Sequence, residues 1–495
     1  MKRAHDAKGF YFILFFIDYD KLICYWKRQR HNGDKNMSYP IRYYSTNRNL
    51  DPSGEMIPFG GTVSFREALL MGQAPDEGLF MPDRIPTISR EELAALRGRP
   101  YGDAASLVLN AFLTADISRA KLNTCIQSAY NFSVPLEQVE AGKYIMRLDQ
   151  GPTASFKDFA ARMMARLMGL LKGHKKRLNV LVATSGDTGS AVGDACRGVA
   201  GINVYILYPR EEVSGRQKKQ LDTIGENVQA ISVAGKFDDC QNLVKQAFAD
   251  RSLHKLNLTS ANSINFGRIL PQIIYYVYAY AQLAAPGEQI VFSIPSGNFG
   301  NALGCEYARR MGLPVKKLVM PVNENDEFPR FLETGRYEKI APSRACLSNA
   351  MNVGHPSNLA RFFDLYGGTV DRNGRVHVYP DRPAMRKNIF SVSVSDQETR
   401  ETIKKVHKRY GVILEPHGAV GWRGLEVYLN ETGDSALCVS LETAHPAKFP
   451  EAVEAAIGFE PELPQSVKDL EKKTGEPILM DNDYEAFRTF LSGLM

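Results

Sequence analysis

The sequence predicts an α/β fold with parallel open sheets flanked by helices. From about residue 143, near-continuous apolar strands alternate with helical stretches, the pattern of strands buried on both faces. Two Gly-rich loops, Thr184-Ser185-Gly186-Asp187-Thr188-Gly189-Ser190 and Pro295-Ser296-Gly297-Asn298-Phe299-Gly300-Asn301, sit where a strand gives way to a helix. A third stretch, Gly151-Pro152-Thr153-Ala154-Ser155-Phe156-Lys157-Asp158-Phe159, breaks local structure and then opens a helix with Lys157 in its first turn.

At 495 residues the chain is long enough for about three domains. The boundaries we expect are an extension over 1–36, an N-terminal region over 37–136, an α/β region over 137–465 in two parts with an insertion at about 323–390, and a tail over 466–495. The net charge is +6, and residues 1–36 carry most of it, with eight Lys/Arg against four Asp/Glu. No basic stripe interleaved with aromatics appears, which argues against a nucleic-acid partner. The seven cysteines are scattered without a CxxC pair, so neither a zinc knuckle nor a disulfide framework is expected, no metal is assigned, and a reducing cytoplasm fits.

Residues 1–36 differ from the rest of the chain. The apolar run 10–17 is too short to span a bilayer and has no small-residue cleavage site after it. The break in composition suggests a translation start at Met37, with a short interfacial anchor as the alternative. Residues 43–46 read as a strand, followed by a polar Pro/Gly loop over 51–61. Ser64 and Glu67 stand at capping-box spacing and Gly72 suits a C-cap, so a helix lies between them. Residues 90–135 read as helices with Leu and Ala stripes. After Lys157, Met163, Met164, Leu167, Met168 and Leu171 recur at helical spacing until Gly173 stops them. Strands are expected at 178–183, 202–207, 228–233, 256–259, 289–294 and 317–321. Helices are expected after Gly189, over 217–224, after Phe237, and over 266–284 with Pro271 near the start. Residues 323–390 lose the alternation and read as inserted or peripheral. Strand and helix return at 390–394, 402–410 and 437–440.

Ligands of parallel sheets bind beyond the carboxyl ends of strands, where both Gly-rich loops lie. Residues 297–301 open a helix, and glycines there let backbone amides converge on an anion at the positive end of the helix. The alternative is a tight turn that needs positive φ. The stretch is neither a P-loop nor a dinucleotide fingerprint. The loop 185–190, dense in hydroxyls and amides, can hold a substrate carboxylate while Asp187 meets a polar ring substituent; an ordinary N-cap at Thr188 or Ser190 is the alternative. Leu441-Glu442-Thr443-Ala444-His445-Pro446-Ala447-Lys448-Phe449-Pro450 reads as a fixed loop in which His445 is structural, and Glu415-Pro416-His417-Gly418-Ala419 as a similar one. A lone Lys is most often solvated. A lysine at a strand end beside two such loops points instead to one site for a phosphorylated, carbonyl-bearing cofactor.

Taken in order, these stretches resemble the threonine synthase family, pyridoxal-phosphate enzymes of the tryptophan-synthase-β-like group (fold type II). Residues 63–79, Asn262-Ser263-Ile264-Asn265 and Ala350-Met351-Asn352-Val353-Gly354 add to the likeness, which runs from about 43 to 463. It implies that Lys157 bonds covalently to the aldehyde of pyridoxal 5'-phosphate. It further implies that Gly297, Asn298, Phe299, Gly300 and Asn301 hold the cofactor phosphate, that Thr443 hydrogen-bonds the ring nitrogen, and that Asp187 meets the ring. Ser155, Ser185, Gly186 and Thr188 would face the substrate, and Asn262, Arg268, Arg216 and Lys218 are candidates for the leaving phosphate. The implied reaction converts O-phospho-L-homoserine and water to L-threonine and phosphate: Lys157 takes the α-proton and moves protons at Cβ and Cγ, phosphate leaves from Cγ and water adds at Cβ. Lysine suits this role because, with its pKa lowered by burial, it can both condense with an aldehyde and act as a base. A neutral Thr at the ring nitrogen is not expected to keep that nitrogen protonated as a carboxylate would. A phospholyase on a related phosphorylated amine, or a non-catalytic regulatory protein on this fold, are the alternatives; the presence of Lys157 argues against the second. The expected partners are a small-molecule substrate with neither nucleic acid nor membrane, and the chain would act as monomer or homodimer in the cytoplasm.

Overall fold

The computed structural model describes residues 39–50, 58–173 and 177–494. The expected extension over 1–36, the start at Met37 and much of the 51–61 loop lie outside the described residues. In chain order, the strands of the two large sheets are β1 (Leu136–Glu140), β2 (Lys143–Arg147), β3 (Leu178–Ala183), β4 (Ile202–Pro209), β5 (Val228–Ala234) and β6 (Leu258–Ser260). They continue with β7 (Ile290–Ser293), β8 (Val315–Val319), β9 (Ile389–Phe390), β10 (Leu437–Glu442) and β11 (Ile478–Asp481). One sheet has the order β9-β8-β7-β10-β2-β1, parallel except for the edge hairpin β1-β2. The other has the order β11-β5-β4-β3-β6 and is parallel throughout. Every residue of β3 and β7 is buried, as expected of apolar strands covered on both faces. Among the described residues no helix is long and apolar enough to cross a membrane.

The helix Phe65–Met71 has the expected capping box from Ser64 and Glu67, and Gly72 closes it at φ +78°. The helix Lys157–Leu171 runs as its periodicity predicts, starting at the lysine. It is buried along most of its length, and Phe159 forms a knot of rings with Phe132 at 5.0 Å, Tyr101 at 5.4 Å, Tyr275 at 5.6 Å and Tyr130 at 6.2 Å between centroids.

Several expectations are corrected. The helix placed after Gly189 begins earlier, at Asp187, with Gly186 rather than Thr188 or Ser190 at its cap. The single helix over 266–284 is three pieces: Phe266–Ile269, a tight turn Leu270–Ile273 containing Pro271, and Ile274–Leu283. Pro has no N–H to donate and clashes with the preceding turn, so the α ladder is interrupted there. The strand over 390–394 shrinks to the two-residue β9. Residues 323–390 are not peripheral. Arg361 within them is fully buried, and its guanidinium donates to the carbonyls of Phe80, Ser263 and Ile264 and to Asn358 Oδ1. A charge so placed is held by these hydrogen bonds and by the face of the Phe266 ring at 5.9 Å, which stitches this segment to the strand Phe80–Pro82 and to the 263–264 loop. The tail 466–495 supplies β11, an edge strand on β5, and the helix Tyr484–Ser492 that packs Phe487 and Leu491 under that sheet.

Phe159→Ala removes the ring at the centre of this knot. It is expected to cost about 3–5 kcal/mol of unfolding free energy, read from urea unfolding of the cofactor-free protein with the slope unchanged.

Candidate active site

Backbone pairing brings the lysine loop against the loop after β10. Phe156 N–H donates to Thr443 O at 2.8 Å and His445 N–H donates to Ala154 O at 3.0 Å, so Ser155 and Ala444 form an isolated bridge. Lys157 is thereby held at a helix start facing a cavity of about 810 Å³. The same cavity is lined by Ser185, Asp187, Thr188, Asn262, Arg268, Gly297, Asn298, Phe299, Gly300, Asn301 and Thr443. Ser155, Gly186, Arg216 and Lys218 are not among the residues that line it. Arg216 is engaged elsewhere, donating to Ala447 O at 2.7 Å and pairing with Glu460.

Asp187 is the electrostatic centre. Its Oδ2 lies 3.3 Å from Lys157 Nζ and its Oδ1 lies 2.8 Å from Lys448 Nζ. Gln217 Nε2 donates to Oδ1 at 3.0 Å. Burial opposes charge on this carboxyl, but Lys448, and after it Lys157, outweigh burial and hold it well below the usual carboxylate range. For Lys157 burial wins: it lowers the pKa of the amine, Lys448 and Arg268 lower it further, and Asp187 opposes them. Gly186 is required by geometry. Its φ is +126°, and a Cβ there would come within 2.6 Å of the Gln217 amide that braces Asp187.

At the other wall, β7 runs into residues 297–301 and the helix Gly300–Arg310. Phe299 caps that helix in the left-handed conformation, φ +62°, with no side-chain cap, which leaves the first-turn N–H groups of residues that line the cavity without a capping side chain. Its ring packs on Phe328 at 4.9 Å, so the backbone rather than the side chain of Phe299 is available to a ligand. Asn298 is tied in place: Nδ2 donates to Ser263 Oγ at 3.0 Å and Oδ1 accepts from Ser357 N–H. Asn301 Oδ1 accepts from the hydroxyls of Tyr275 and Tyr276, while its buried Nδ2 has no partner among the described residues.

Thr443 stands at the end of β10. Its hydroxyl donates to Glu415 Oε1 at 3.1 Å, and Glu415 is itself fully buried at the start of the helix Pro416–Thr432. Lys448, Gln217, Glu415 and His417 are the residues that sequence reasoning left without a role. Each lies next to or inside a stretch already singled out, but nothing in their spacing shows which loop they meet.

The residues fit pyridoxal phosphate. A half-buried amine with a lowered pKa faces the cavity, an uncapped helix start offers N–H donors, and Asn301 Nδ2, Arg268 Nε and Asn262 Oδ1 are buried polar atoms without protein partners among the described residues. Fold and site define a pyridoxal-phosphate-dependent α/β enzyme, and residues 117–443 match the family model described as pyridoxal-phosphate dependent enzyme. Residues 42–130 match the threonine synthase N terminus and residues 418–491 the threonine synthase C-terminal model. A threonine synthase of Pseudomonas aeruginosa is 37% identical over 453 residues, covering 87% of this chain and 96% of that protein. The crystal structure of a pyridoxal-phosphate-bound threonine synthase from Brucella melitensis superposes with a TM-score of 0.82 at 34% identity, covering 92% of this chain and 99% of the other. That of the Escherichia coli threonine synthase gives 0.79 at 34% identity, covering 92% and 100%. The chain belongs to the threonine synthase family.

Next to Lys157, burial pushes the Asp158 carboxyl up to about 6, against the hydroxyl and N–H of Thr153 that donate to it. Between its unfolded value near ~4 and that folded value, the native state holds the extra proton. Its contribution to stability is therefore full below pH ~4 and is lost as pH rises through about 6, by at most ~3 kcal/mol. Asp158→Asn keeps acceptor and donor capacity toward Thr153. The stability difference between variant and wild type in urea should shift in the variant's favour across this window, and a difference constant with pH would contradict it.

Proposed function

We propose that the protein converts O-phospho-L-homoserine and water to L-threonine and inorganic phosphate. The observation that supports this most is Lys157, half-buried beside Asp187, sharing one cavity with residues 297–301 and Thr443 in a chain of this family. Pyridoxal phosphate would sit with its phosphate at 297–301, its ring nitrogen toward Thr443 and its aldehyde carbon toward Lys157. When bound, it supplies the sink for the electron pair released at the substrate's α-carbon.

The residues of the chain account for the rest. Lys157 Nζ, displaced by the substrate amine, is a competent base because burial disfavours its charged form. Once it has taken a proton, Asp187 at 3.3 Å steadies the ammonium. Lys448 keeps Asp187 ionised, so the carboxylate does not retain the proton and Lys157 can return it at Cβ or Cγ. Arg268, with its Nε unpartnered, and Asn262 would meet the departing phosphate as the Cγ–O bond breaks. Ser185 and Thr188, at the rim of the same wall, would hold the substrate carboxylate, with Gly186 and Ser155 shaping the loop behind them. Water then adds at Cβ and threonine leaves. The six described cysteines are free thiols, which suits an enzyme of the reducing cytoplasm.

Lys157→Ala should lower phosphate release from O-phosphohomoserine by ~10⁴-fold or more, the upper end of what one positioned acid–base group contributes. Borohydride reduction of the loaded wild type should fix the cofactor to Lys157 by peptide mass mapping; attachment to another lysine would overturn the assignment.

Asn298→Asp tests the phosphate cradle. An Asp there can still accept from Ser357 N–H and from the Ser263 hydroxyl, so the fold is retained and a negative charge is added beside the loop. Pyridoxal phosphate should bind at least ~10-fold more weakly, with the loss reduced by salt. Equal dissociation constants would mean that residues 297–301 do not carry the phosphate.

A further inference from the structure

We propose that Glu415 is a positioning residue that, acting through Thr443, holds a proton on the ring nitrogen of the bound cofactor. The inference rests on the proposed placement of that nitrogen against Thr443. Its basis is a count of hydrogens. Glu415 Oε1 accepts from Gly418 N–H at 3.0 Å and from the Thr443 hydroxyl at 3.1 Å. Its Oε2 accepts from His417 N–H at 2.7 Å and from His417 Nδ1. A carboxylate has about four acceptor sites, and all four are taken.

The direction of each bond is set by its neighbours. Ala350 N–H donates to His417 Nε2 at 3.1 Å, so that nitrogen carries no hydrogen and Nδ1 carries one. His417 is then neutral and a donor to Glu415. The Thr443 hydroxyl has a single hydrogen, and Glu415 has it. What Thr443 offers the cavity is a lone pair. A bare ring nitrogen also presents a lone pair, and the two would repel; a ring N–H matches. A protonated ring nitrogen at that place would have the Glu415 side chain one hydroxyl away.

A second buried carboxyl stands next to Glu415. Glu442 on β10 faces it, with Oε1 accepting Glu415 N–H at 2.8 Å. Burial, and after it the charge of Glu415, raise the Glu442 carboxyl well above its ordinary range, with Arg147 opposing and Asp149 adding to the rise. A carboxylate relayed through a hydroxyl thus does what the sequence suggested a lone Thr could not.

The test is nitrogen NMR of wild type loaded with pyridoxal phosphate labelled at the ring nitrogen, near neutral pH. The resonance should sit at the pyridinium position. It should move to that of an unprotonated pyridine in Glu415→Gln and in Thr443→Val, and stay in Thr443→Ser. Should Glu415→Gln fail to fold, the near-isosteric Thr443→Val carries the comparison. An unprotonated nitrogen in wild type, or a protonated one in Thr443→Val, overturns the inference while a cofactor mapped to Lys157 leaves the reading of the site standing. A cofactor mapped to another lysine overturns both.

Discussion

The buried carboxylate of Asp187, bridging Lys157 and Lys448, is the interaction on which the site depends. Each of its three members comes from a different segment: the helix start after β2, the helix start after β3 and the loop after β10. An unpaired charge at such depth would be costly, so each loop is held where its partner can reach it. The group of three has one positive charge in excess. That surplus, together with burial, is what keeps the Lys157 amine ready to lose its proton, and it also favours an anionic ligand in the cavity.

The two ends of the cavity have opposite polarity. Residues 297–301 present backbone N–H donors from a helix start that has no side-chain cap. The Thr443 end presents an acceptor, because Glu415 has taken the hydroxyl hydrogen. A molecule with a phosphate at one end and a protonated ring nitrogen at the other satisfies both. Ala350 joins the two ends: its N–H sets the tautomer of His417, and its carbonyl would lie 2.8 Å from a Cβ at Gly297, so the turn at 297–301 is packed against the same segment that orients the Glu415 network.

Much of this was legible in the sequence where function sits on local pattern. Lys157, the 297–301 loop and Thr443 each lie in a stretch whose glycines, prolines and hydroxyls have a local meaning, and buried strands such as β3 announce themselves by composition. What long-range contact decides was not legible. Lys448 reads as an ordinary loop lysine until the fold sets it against Asp187. Glu415 reads as one residue of a rigid turn until it meets Thr443, 28 positions on. The segment 323–390 has little regular alternation, so its burial rests on Arg361 and scattered aromatics rather than on a periodic face. The edge strand β11 is only four residues long, with Met480 alone buried, so its short apolar run Ile478-Leu479-Met480 sits inside what reads as a tail.

The central claim is that carbon–oxygen cleavage at Cγ is followed by addition of water at Cβ in one cavity. The most direct measurement is turnover of O-phospho-L-homoserine by the loaded protein in heavy-oxygen water, with both products analysed by mass. The account predicts threonine and phosphate in equal amounts, with the heavy oxygen in the threonine hydroxyl and none incorporated into phosphate by the reaction. Phosphate released without threonine, or heavy oxygen delivered to phosphate by cleavage at phosphorus, would contradict it.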